Sequence, residues 1–142
     1  KIPNILKYSE HSIADSMLNT PPTFAWYMAG KVFKWIKKKG GLEFFKKQNH
    51  IKASKLYEYI DSSDFYSNNI DIENRSIMNV TFFLENDELD TPFLHQAEEN
   101  GLLNLKGHRS VGGMRASIYN AMPLQGVEEL INYMKYFESK NG

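Results

Sequence analysis

Arginine is scarce in this chain and is concentrated in one glycine-containing segment, residues 107–115. Only three of the seventeen Lys and Arg residues are arginine, and two of those, Arg109 and Arg115, lie six positions apart in this segment. A guanidinium presents a rigid fork of N–H donors that pairs with two oxygens of a carboxylate or phosphate, so this usage indicates recognition of such an anion. His108 adds a donor, and two adjacent glycines permit backbone conformations that other residues avoid. The alternative is a surface loop whose arginines pair with acidic residues of the same chain.

A second candidate anion site precedes the first long helix, in residues 16–23, which read Ser-Met-Leu-Asn-Thr-Pro-Pro-Thr. Asn19 and Thr20 place an amide and a hydroxyl beside a helix N-terminus, where unpaired backbone N–H groups and the helix dipole favour negative charge. A phosphate would be well accommodated there. The alternative, favoured by residue types alone, is that Thr20 caps the helix and that Pro21 and Pro22 occupy its first turn.

The other histidines do not form a metal-binding pattern. His11, His50 and His95 are far apart in the sequence and the chain has no cysteine, so neither zinc nor di-iron binding is indicated. No nucleophile elbow, P-loop or dinucleotide fingerprint is present. We therefore predict no metal site and no catalytic side chain within these residues. The absence of cysteine is compatible with a reducing cytoplasm, which is the expected location.

The charge pattern argues against two classes of partner. The 142 residues carry 17 Lys and Arg against 17 Asp and Glu, and this zero net charge disfavours nucleic-acid binding. Lysines are concentrated in residues 31–55 and acids in residues 56–100, and we interpret both blocks as solvated faces. No uncharged apolar stretch reaches the roughly 18 residues that a membrane helix requires, so no membrane partner is expected.

Apolar spacing predicts an α/β fold in which a short sheet is covered by helices. Residues 1–23 are predicted to be an irregular arm and residues 24–142 a single domain. Helices are expected from the Thr20 cap to Gly40 and over residues 42–60, 87–100 and 123–139, and strands over residues 75–84, 102–105 and 115–119. Four aromatic residues of the first long helix are predicted to be buried in the core or in an interface, namely Trp26, Tyr27, Phe33 and Trp35. Leu42 is predicted to belong to the buried face of the next helix.

Taken together, these segments resemble the phosphoserine aminotransferase family. The resemblance is carried by residues 16–23, Trp26-Tyr27, Phe33-Lys34-Trp35, Gly107-His108-Arg109 and the twelve consecutive residues 112–123, which read Gly-Gly-Met-Arg-Ala-Ser-Ile-Tyr-Asn-Ala-Met-Pro. The order and the spacing of these segments also fit the C-terminal part of that family's chain. Twelve consecutive matching positions make the last segment highly specific.

The resemblance implies a homodimeric fold-type I enzyme that uses pyridoxal phosphate, with this chain as its small C-terminal domain. Such an enzyme transfers an amino group between glutamate and 3-phosphohydroxypyruvate to make phosphoserine for serine biosynthesis, and in many bacteria it also serves pyridoxine biosynthesis. By motif, Asn19 and Thr20 would bind the phosphate of the cofactor held in the neighbouring subunit. Arg115 would pair with the substrate α-carboxylate, and His108 and Arg109 would hold the distal phosphate or γ-carboxylate.

The resemblance also implies what these residues lack. The family's Schiff-base lysine, the acid that pairs with the pyridine nitrogen and the aromatic residue that stacks on the ring lie in the preceding domain, and none of the fourteen lysines here has the matching context. We therefore expect a piece of a longer enzyme that is inactive alone. Two alternatives remain open: a non-catalytic module that binds an anionic phosphometabolite through the loop from His108 to Arg115, and another fold-type I aminotransferase, which the His108-Arg109 pair disfavours.

Overall fold

The computed structural model describes residues 2–142, which divide into two compact units between Leu42 and Glu43. The first unit contains a 3-10 helix, Asn4–Leu6, and two α-helices, α1 (Tyr8–Ile13) and α2 (Thr23–Lys38). The segment before α2, predicted to be irregular, thus contains a short helix. Within residues 2–142, no helix combines the length and the apolar character needed to span a membrane.

The start of α2 differs from the prediction. The helix begins at Thr23, Pro22 is its N-cap residue with ψ of 76°, and no side chain caps it. The prediction that Thr20 caps the helix is therefore wrong. The physical reason is the proline pair, because a residue that precedes proline is driven out of the helical region and Pro21 precedes Pro22.

The apolar residues of α2 are largely exposed. Phe24 is 76% exposed, Phe33 is 67% exposed, Tyr27 is 60% exposed and Trp26 is 56% exposed, while Trp35 is half-buried. No residue of α2 is buried, so the prediction of a core position is wrong for this helix. A unit of two helices is too small to enclose such side chains. That they lie in an interface stays a prediction.

The second unit contains a three-stranded antiparallel sheet in the order β1-β2-β3. Its strands are β1 (Tyr66–Ser67), β2 (Asn79–Leu84) and β3 (Met114–Ser117). Its helices are α3 (Gly41–Ser62, which starts in the first unit), α4 (Asp90–Glu99) and α5 (Leu124–Asn141), with 3-10 helices at Ile72–Asn74 and Asp87–Leu89. The predicted α/β class, a short sheet with helices packed against it, is confirmed. The predicted burial of Leu42 is wrong, since its side chain is 77% exposed.

Strand alternation sets which face of the sheet each side chain occupies. Val80 and Phe82 of β2 and Met114 and Ala116 of β3 are buried in one cluster with residues from all three helices of this unit. Successive strand residues point to opposite faces. Arg115, paired with Thr81 in the ladder, therefore lies on the face turned away from this core.

The strand boundaries differ from the predictions in two places. The segment 102–105 is not a strand, because Asn104 has a φ of 63°, outside the extended region. Next to it, Lys106 forms an isolated antiparallel bridge with Met114. The strand predicted over residues 75–84 begins at Asn79, since residues before it form a turn whose amides bond to the Ser76 hydroxyl. The two-residue strand β1 was not predicted from its spacing.

Candidate functional site

The segment from Gly107 to Gly113 is a closed loop that leads directly into β3. The Gly107 N–H donates to the Gly113 carbonyl at 2.8 Å and closes the base of the loop. At the tip, the His108 carbonyl accepts from the N–H groups of Val111, at 2.8 Å, and Gly112, at 2.9 Å. The loop therefore has a defined backbone that carries His108 and Arg109 at its tip.

The close backbone packing of this loop explains its glycines. Gly113 has a φ of +58°, and a Cβ there would lie 2.6 Å from a ring carbon of Phe83 and 2.8 Å from the Phe82 carbonyl oxygen. A Cβ on Gly107 would lie 2.1 Å from the Gly112 carbonyl oxygen. Real side chains do not tolerate such distances to backbone atoms. Glycine is thus required at both positions by geometry.

Arg115 is a half-buried cation without an anionic partner. Its Nε is buried and has no hydrogen-bond partner, and no ion pair within residues 2–142 involves its guanidinium. Arg75 provides the contrast, because its two Nη atoms lie 2.6 and 2.8 Å from the carboxylate oxygens of Asp61. Leaving a buried donor unpaired costs about 1–3 kcal/mol, so Arg115 is positioned to gain energy from an incoming acceptor.

The alternative in which both arginines pair with acids of the same chain is wrong for this structure. The ion pairs among the described residues are Lys55–Glu128, Arg75–Asp61 and His95–Glu99. Neither Arg109 nor Arg115 contributes to any of them. Both guanidinium groups of the loop segment are therefore available to an external anion.

Arg115 lines a cleft of about 720 Å³ within the second unit. The cleft is bounded by residues 100–105, by residues 115–118 and by α5 from Gly126 to Tyr136. Its walls combine apolar side chains such as Ile118 and Val127 with a few polar ones such as Asn132. This size and composition are typical of small-molecule sites.

A row of polar side chains continues from Arg115 along the same strand. The Ser117 hydroxyl donates to Asn79 Oδ1 at 3.1 Å. Hydrogen bonds from Asn79 and Ser117 lower the pKa of the exposed Tyr119 hydroxyl, and the charge of Arg115 lowers it further. Tyr119 therefore belongs to the polar surroundings of Arg115, although no motif in the sequence singled it out for that role.

The imidazole of His108 is oriented by its neighbour Ser110. Nδ1 lies 2.7 Å from the Ser110 hydroxyl and accepts the Ser110 backbone N–H at 3.3 Å. Because Nδ1 acts as the acceptor in this arrangement, the neutral ring carries its proton on Nε2. The exposed Nε2–H can donate to an anion beside Arg109. The structure thus places two of the predicted residues at the loop tip and Arg115 beyond its base.

In the first unit, Asn19 and Thr20 lie in the exposed stretch before α2. Neither side chain forms a hydrogen bond with another residue of the described chain, and the first intrahelical bond of α2 is donated by Trp26 to the Pro22 carbonyl. Amide, hydroxyl and leading helix N–H groups are all free to donate. Such donors suit an anion, and that they bind a phosphate stays a prediction.

Lys52 and Asn49 of α3 were missed by the sequence analysis. Both are 2% exposed. Lys52 donates to three carbonyls in residues 118–122, and burial lowers its pKa. A signal was available, because both residues share helical spacing with the buried Phe45 and Leu56. Polar residues at core positions indicate specific long-range hydrogen bonds.

Comparison with known proteins identifies relatives of the whole chain. The profile of the family Aminotransferase class-V matches residues 3–130. The chain is 58% identical over 142 residues to the phosphoserine aminotransferase of Acinetobacter baumannii, which is 100% of this chain and 40% of that protein. It is 60% identical over 126 residues to the phosphoserine aminotransferase of Shewanella woodyi, and the aligned residues are 89% of this chain and 35% of that protein.

Solved structures agree with these relatives. The phosphoserine aminotransferase from Bacillus circulans subsp. alkalophilus superposes with a TM-score of 0.93 at 45% identity, covering 99% of this chain and 39% of that one. A phosphoserine aminotransferase from Trichomonas vaginalis, described as bound to pyridoxal phosphate (PLP), gives a TM-score of 0.86 at 44% identity. The match covers 94% of this chain and 39% of that one. The chain spans about 40% of the length of the curated relatives that it matches.

Proposed function

Because the chain belongs to the class-V aminotransferase family, we propose that it forms the small domain of a phosphoserine aminotransferase that uses pyridoxal phosphate. Residues 24–142 are assigned to this domain and residues 1–23 to the arm that precedes it. The whole enzyme transfers an amino group between glutamate and 3-phosphohydroxypyruvate, which yields phosphoserine for serine biosynthesis. The lack of cysteine supports a cytoplasmic location. The observation that carries the proposal is that Arg115, whose buried Nε has no hydrogen-bond partner, is one of the residues that line a cleft of small-molecule size.

Arg115 would bind the α-carboxylate of either amino acid. A guanidinium can donate two parallel N–H bonds to a carboxylate, and this arrangement fixes the direction of the α-carbon as well as its position. Holding the reacting carbon in one orientation removes entropy that would otherwise add to the barrier. This role requires N–H donors that are free to bind a carboxylate, and no ion pair within residues 2–142 occupies those of Arg115.

His108 and Arg109 would hold the other end of the substrate. The imidazole Nε2–H and the guanidinium at the loop tip supply several donors to a phosphate, and fewer of them are needed for the γ-carboxylate of glutamate. A substrate that leaves such donors unpaired is bound less tightly, so the loop tip would set selectivity at the distal position.

Two residues of this chain have side chains that suit the cofactor. Asn19 and Thr20 fit the phosphate of pyridoxal phosphate, and we propose that the cofactor they serve is the one held by the partner subunit of a homodimer. When bound, the cofactor supplies the electron sink for the reaction. No lysine of the chain is proposed to bond it. Lys52, the buried lysine of the second unit, is engaged by three carbonyl groups.

A chimeric enzyme tests this proposal. In it, this chain replaces the matched 142 residues of the A. baumannii relative. We expect the chimera to bind pyridoxal phosphate and to transaminate 3-phosphohydroxypyruvate with glutamate at a rate within about tenfold of the relative, a difference of about 1.4 kcal/mol. A chimera that folds and binds the cofactor but does not transaminate would overturn the proposal.

One observation favours the alternative of a non-catalytic binding module. His108, Arg109 and Arg115 all lie in the second unit, so this unit carries an anion-binding set of its own. Calorimetric titration of the 142-residue chain with phosphoserine separates the two functions. The aminotransferase proposal expects binding weaker than about 1 mM without the rest of the enzyme, whereas a module would bind with micromolar affinity.

A further inference from the structure

The turn that joins β3 to α5 is bound by one buried ammonium group, that of Lys52 on α3. Lys52 Nζ donates to the carbonyl oxygens of Ile118 at 2.9 Å, Tyr119 at 2.7 Å and Met122 at 3.0 Å. These contacts join residues that are 66 to 70 positions apart in the chain. A second tie runs from Asn49 Nδ2 to Asn120 Oδ1 at 2.7 Å. The turn is thus held to α3 at four of its five residues, Ile118 to Met122.

The chemistry of this contact is specific to lysine. An ammonium has three N–H donors, and each of them has a carbonyl acceptor here. Lys52 is 2% exposed and lies in no ion pair within the part of the chain that the structure describes. Its charge is therefore balanced by backbone dipoles alone. Burying an ammonium in this way is costly unless all of its donors are satisfied.

The same turn forms the wall of the cleft next to Arg115. Ile118 and Met122, two of the residues whose carbonyls bind Lys52, line the cleft together with Arg115. Arg115 lies on β3, three positions before Ile118, the first residue of the turn. No side-chain hydrogen bond to another residue of the described chain holds the guanidinium, so its position depends on the backbone of β3, which continues directly into this turn.

We propose that Lys52 is a positioning residue for Arg115: its ammonium fixes the turn from Ile118 to Met122, and the fixed turn keeps the guanidinium ready for its anion. The inference rests on the proposed function for the identity of that anion, a substrate carboxylate. The positioning itself is a property of this chain and can be measured without catalysis.

The three arginines allow a direct measurement in the 142-residue chain. Hydrogen exchange at each Nε, followed by nitrogen-15 NMR, reports separately on the paired Arg75, the exposed Arg109 and the buried Arg115. In Lys52→Met we expect exchange at Arg115 Nε to become at least about tenfold faster, because the turn that continues its strand is released and this end of β3 opens locally. Exchange at Arg75 Nε, held by the Ile70 carbonyl at 3.2 Å, should stay unchanged.

The matched control is Lys55→Met, one helical turn further along α3. Lys55 is exposed and pairs with Glu128, so its loss removes a charge from the same helix without touching the turn. A merely structural contribution of Lys52 would accelerate exchange at core amides and at Arg75 in proportion to the loss of stability. Equal acceleration at Arg75 and Arg115, or an unchanged Arg115, would overturn the proposal.

Two further proteins test the role of Lys52: an alkylated Lys52→Cys variant that restores the ammonium, and Asn120→Ala, which disturbs the turn less than Lys52→Met does. Because the chain has no cysteine, Lys52→Cys can be alkylated selectively with bromoethylamine in the unfolded state, which restores an ammonium at nearly the length of lysine. The alkylated protein should regain slow exchange at Arg115. If Lys52→Met does not fold, Asn120→Ala, which removes only the Asn49 tie, should still accelerate Arg115 selectively, and no acceleration there would contradict the proposal.

The chimeric enzyme gives an independent functional result. Lys52→Met should raise KM for glutamate and for phosphoserine by about tenfold while kcat changes by less than about threefold, because binding and not chemistry is disturbed. A selective change at Arg115 in the isolated chain combined with an inactive parent chimera would reject the proposed function alone. An active chimera with unaltered KM in Lys52→Met would reject the positioning role alone.

Discussion

The backbone N–H of Arg115 donates to the carbonyl of Leu105 at 2.6 Å, so the chain entering the 107–113 loop is tied to the chain leaving it. This bond places Arg115 beyond the closed base of the loop and leaves its side chain on the sheet face opposite the aromatic core. The loop tip that carries His108 and Arg109 and the strand that carries Arg115 are therefore joined by backbone hydrogen bonds.

Two adjacent glycines provide a matched test of this loop geometry. Gly112 and Gly113 both have positive φ, but a Cβ on Gly112 meets no atom within 4 Å whereas one on Gly113 meets Phe83 and Phe82. Gly112→Ala should cost about 1 kcal/mol of unfolding free energy through backbone strain alone. Gly113→Ala should cost about 1–3 kcal/mol more, because it adds overpacking. Urea denaturation of the 142-residue chain measures both, and equal losses would contradict the described backbone.

His108 provides a test of selectivity at the loop tip. In the chimeric enzyme, His108→Ala should lower kcat/KM for phosphoserine more than for glutamate, because phosphate accepts more hydrogen bonds than a γ-carboxylate. The difference between the two losses should correspond to about 1–2 kcal/mol. Steady-state kinetics with each amino donor gives the comparison. Ser110→Ala, which only releases the ring, should have a smaller effect in the same direction. Equal losses for the two substrates would argue against the assignment.

The raised pKa of Tyr133 leads us to expect that the unfolding free energy falls at alkaline pH. Its hydroxyl donates to the Phe93 carbonyl at 2.6 Å, and burial raises its pKa from 10.0 to about 12. Since the folded-state pKa is the higher one, the stabilisation is fully present below pH 10 and is lost as pH rises towards 12. In that window the unfolding free energy falls by up to about 1.4 kcal/mol per pH unit for this group.

The comparison with Tyr133→Phe isolates that contribution. The variant should be less stable than the parent at pH 8, and the difference should shrink between pH 10 and pH 12. Tyr136→Phe, at a residue that is 52% exposed, serves as the control and should keep a constant difference. Urea denaturation at each pH gives the values. A stability gap for Tyr133→Phe that is independent of pH would contradict the raised pKa.

None of the fourteen lysines has the context of the family's Schiff-base lysine, so we expect the chain alone to form no covalent bond with pyridoxal phosphate at a specific position. Incubation with the cofactor, reduction with borohydride and peptide mass spectrometry should detect no single lysine modified in preference to the other surface lysines. The chimeric enzyme, treated in parallel, should show one reduced lysine in the relative's portion. A stoichiometric adduct on one lysine of this chain would refute the division of roles proposed here.

Much of the second unit could be predicted because its apolar spacing is regular. Phe45, Leu56 and Ile60 of α3 and Val80, Phe82 and Leu84 of β2 are buried as their periodicity indicates. Strand 102–105 could not be excluded, because its residue types suit a strand and only the backbone shows that Asn104 has a positive φ.

Two features could not be predicted, because they depend on residues far away in the sequence or on how much structure surrounds a helix. The aromatic face of α2 satisfies helical periodicity, but the first unit contains too little structure to cover it. Lys52 was counted among the lysines of a solvated basic block, whereas its partners lie 66 to 70 residues further along the chain. In the candidate site, residue types identified Arg109 and Arg115, while the lack of internal partners became visible only in three dimensions.

The most direct test of the proposed role of Arg115 is Arg115→Lys in the chimeric enzyme, with Arg75→Lys as the matched control. Lysine keeps the charge but loses the bidentate fork, so kcat/KM should fall for both glutamate and phosphoserine by a factor that corresponds to about 1–3 kcal/mol, with cofactor content unchanged. Arg75 pairs with Asp61 and does not line the cleft, so Arg75→Lys should leave both values within twofold of the parent chimera. Unchanged kcat/KM for both substrates in Arg115→Lys would contradict the claim that this guanidinium binds their common carboxylate.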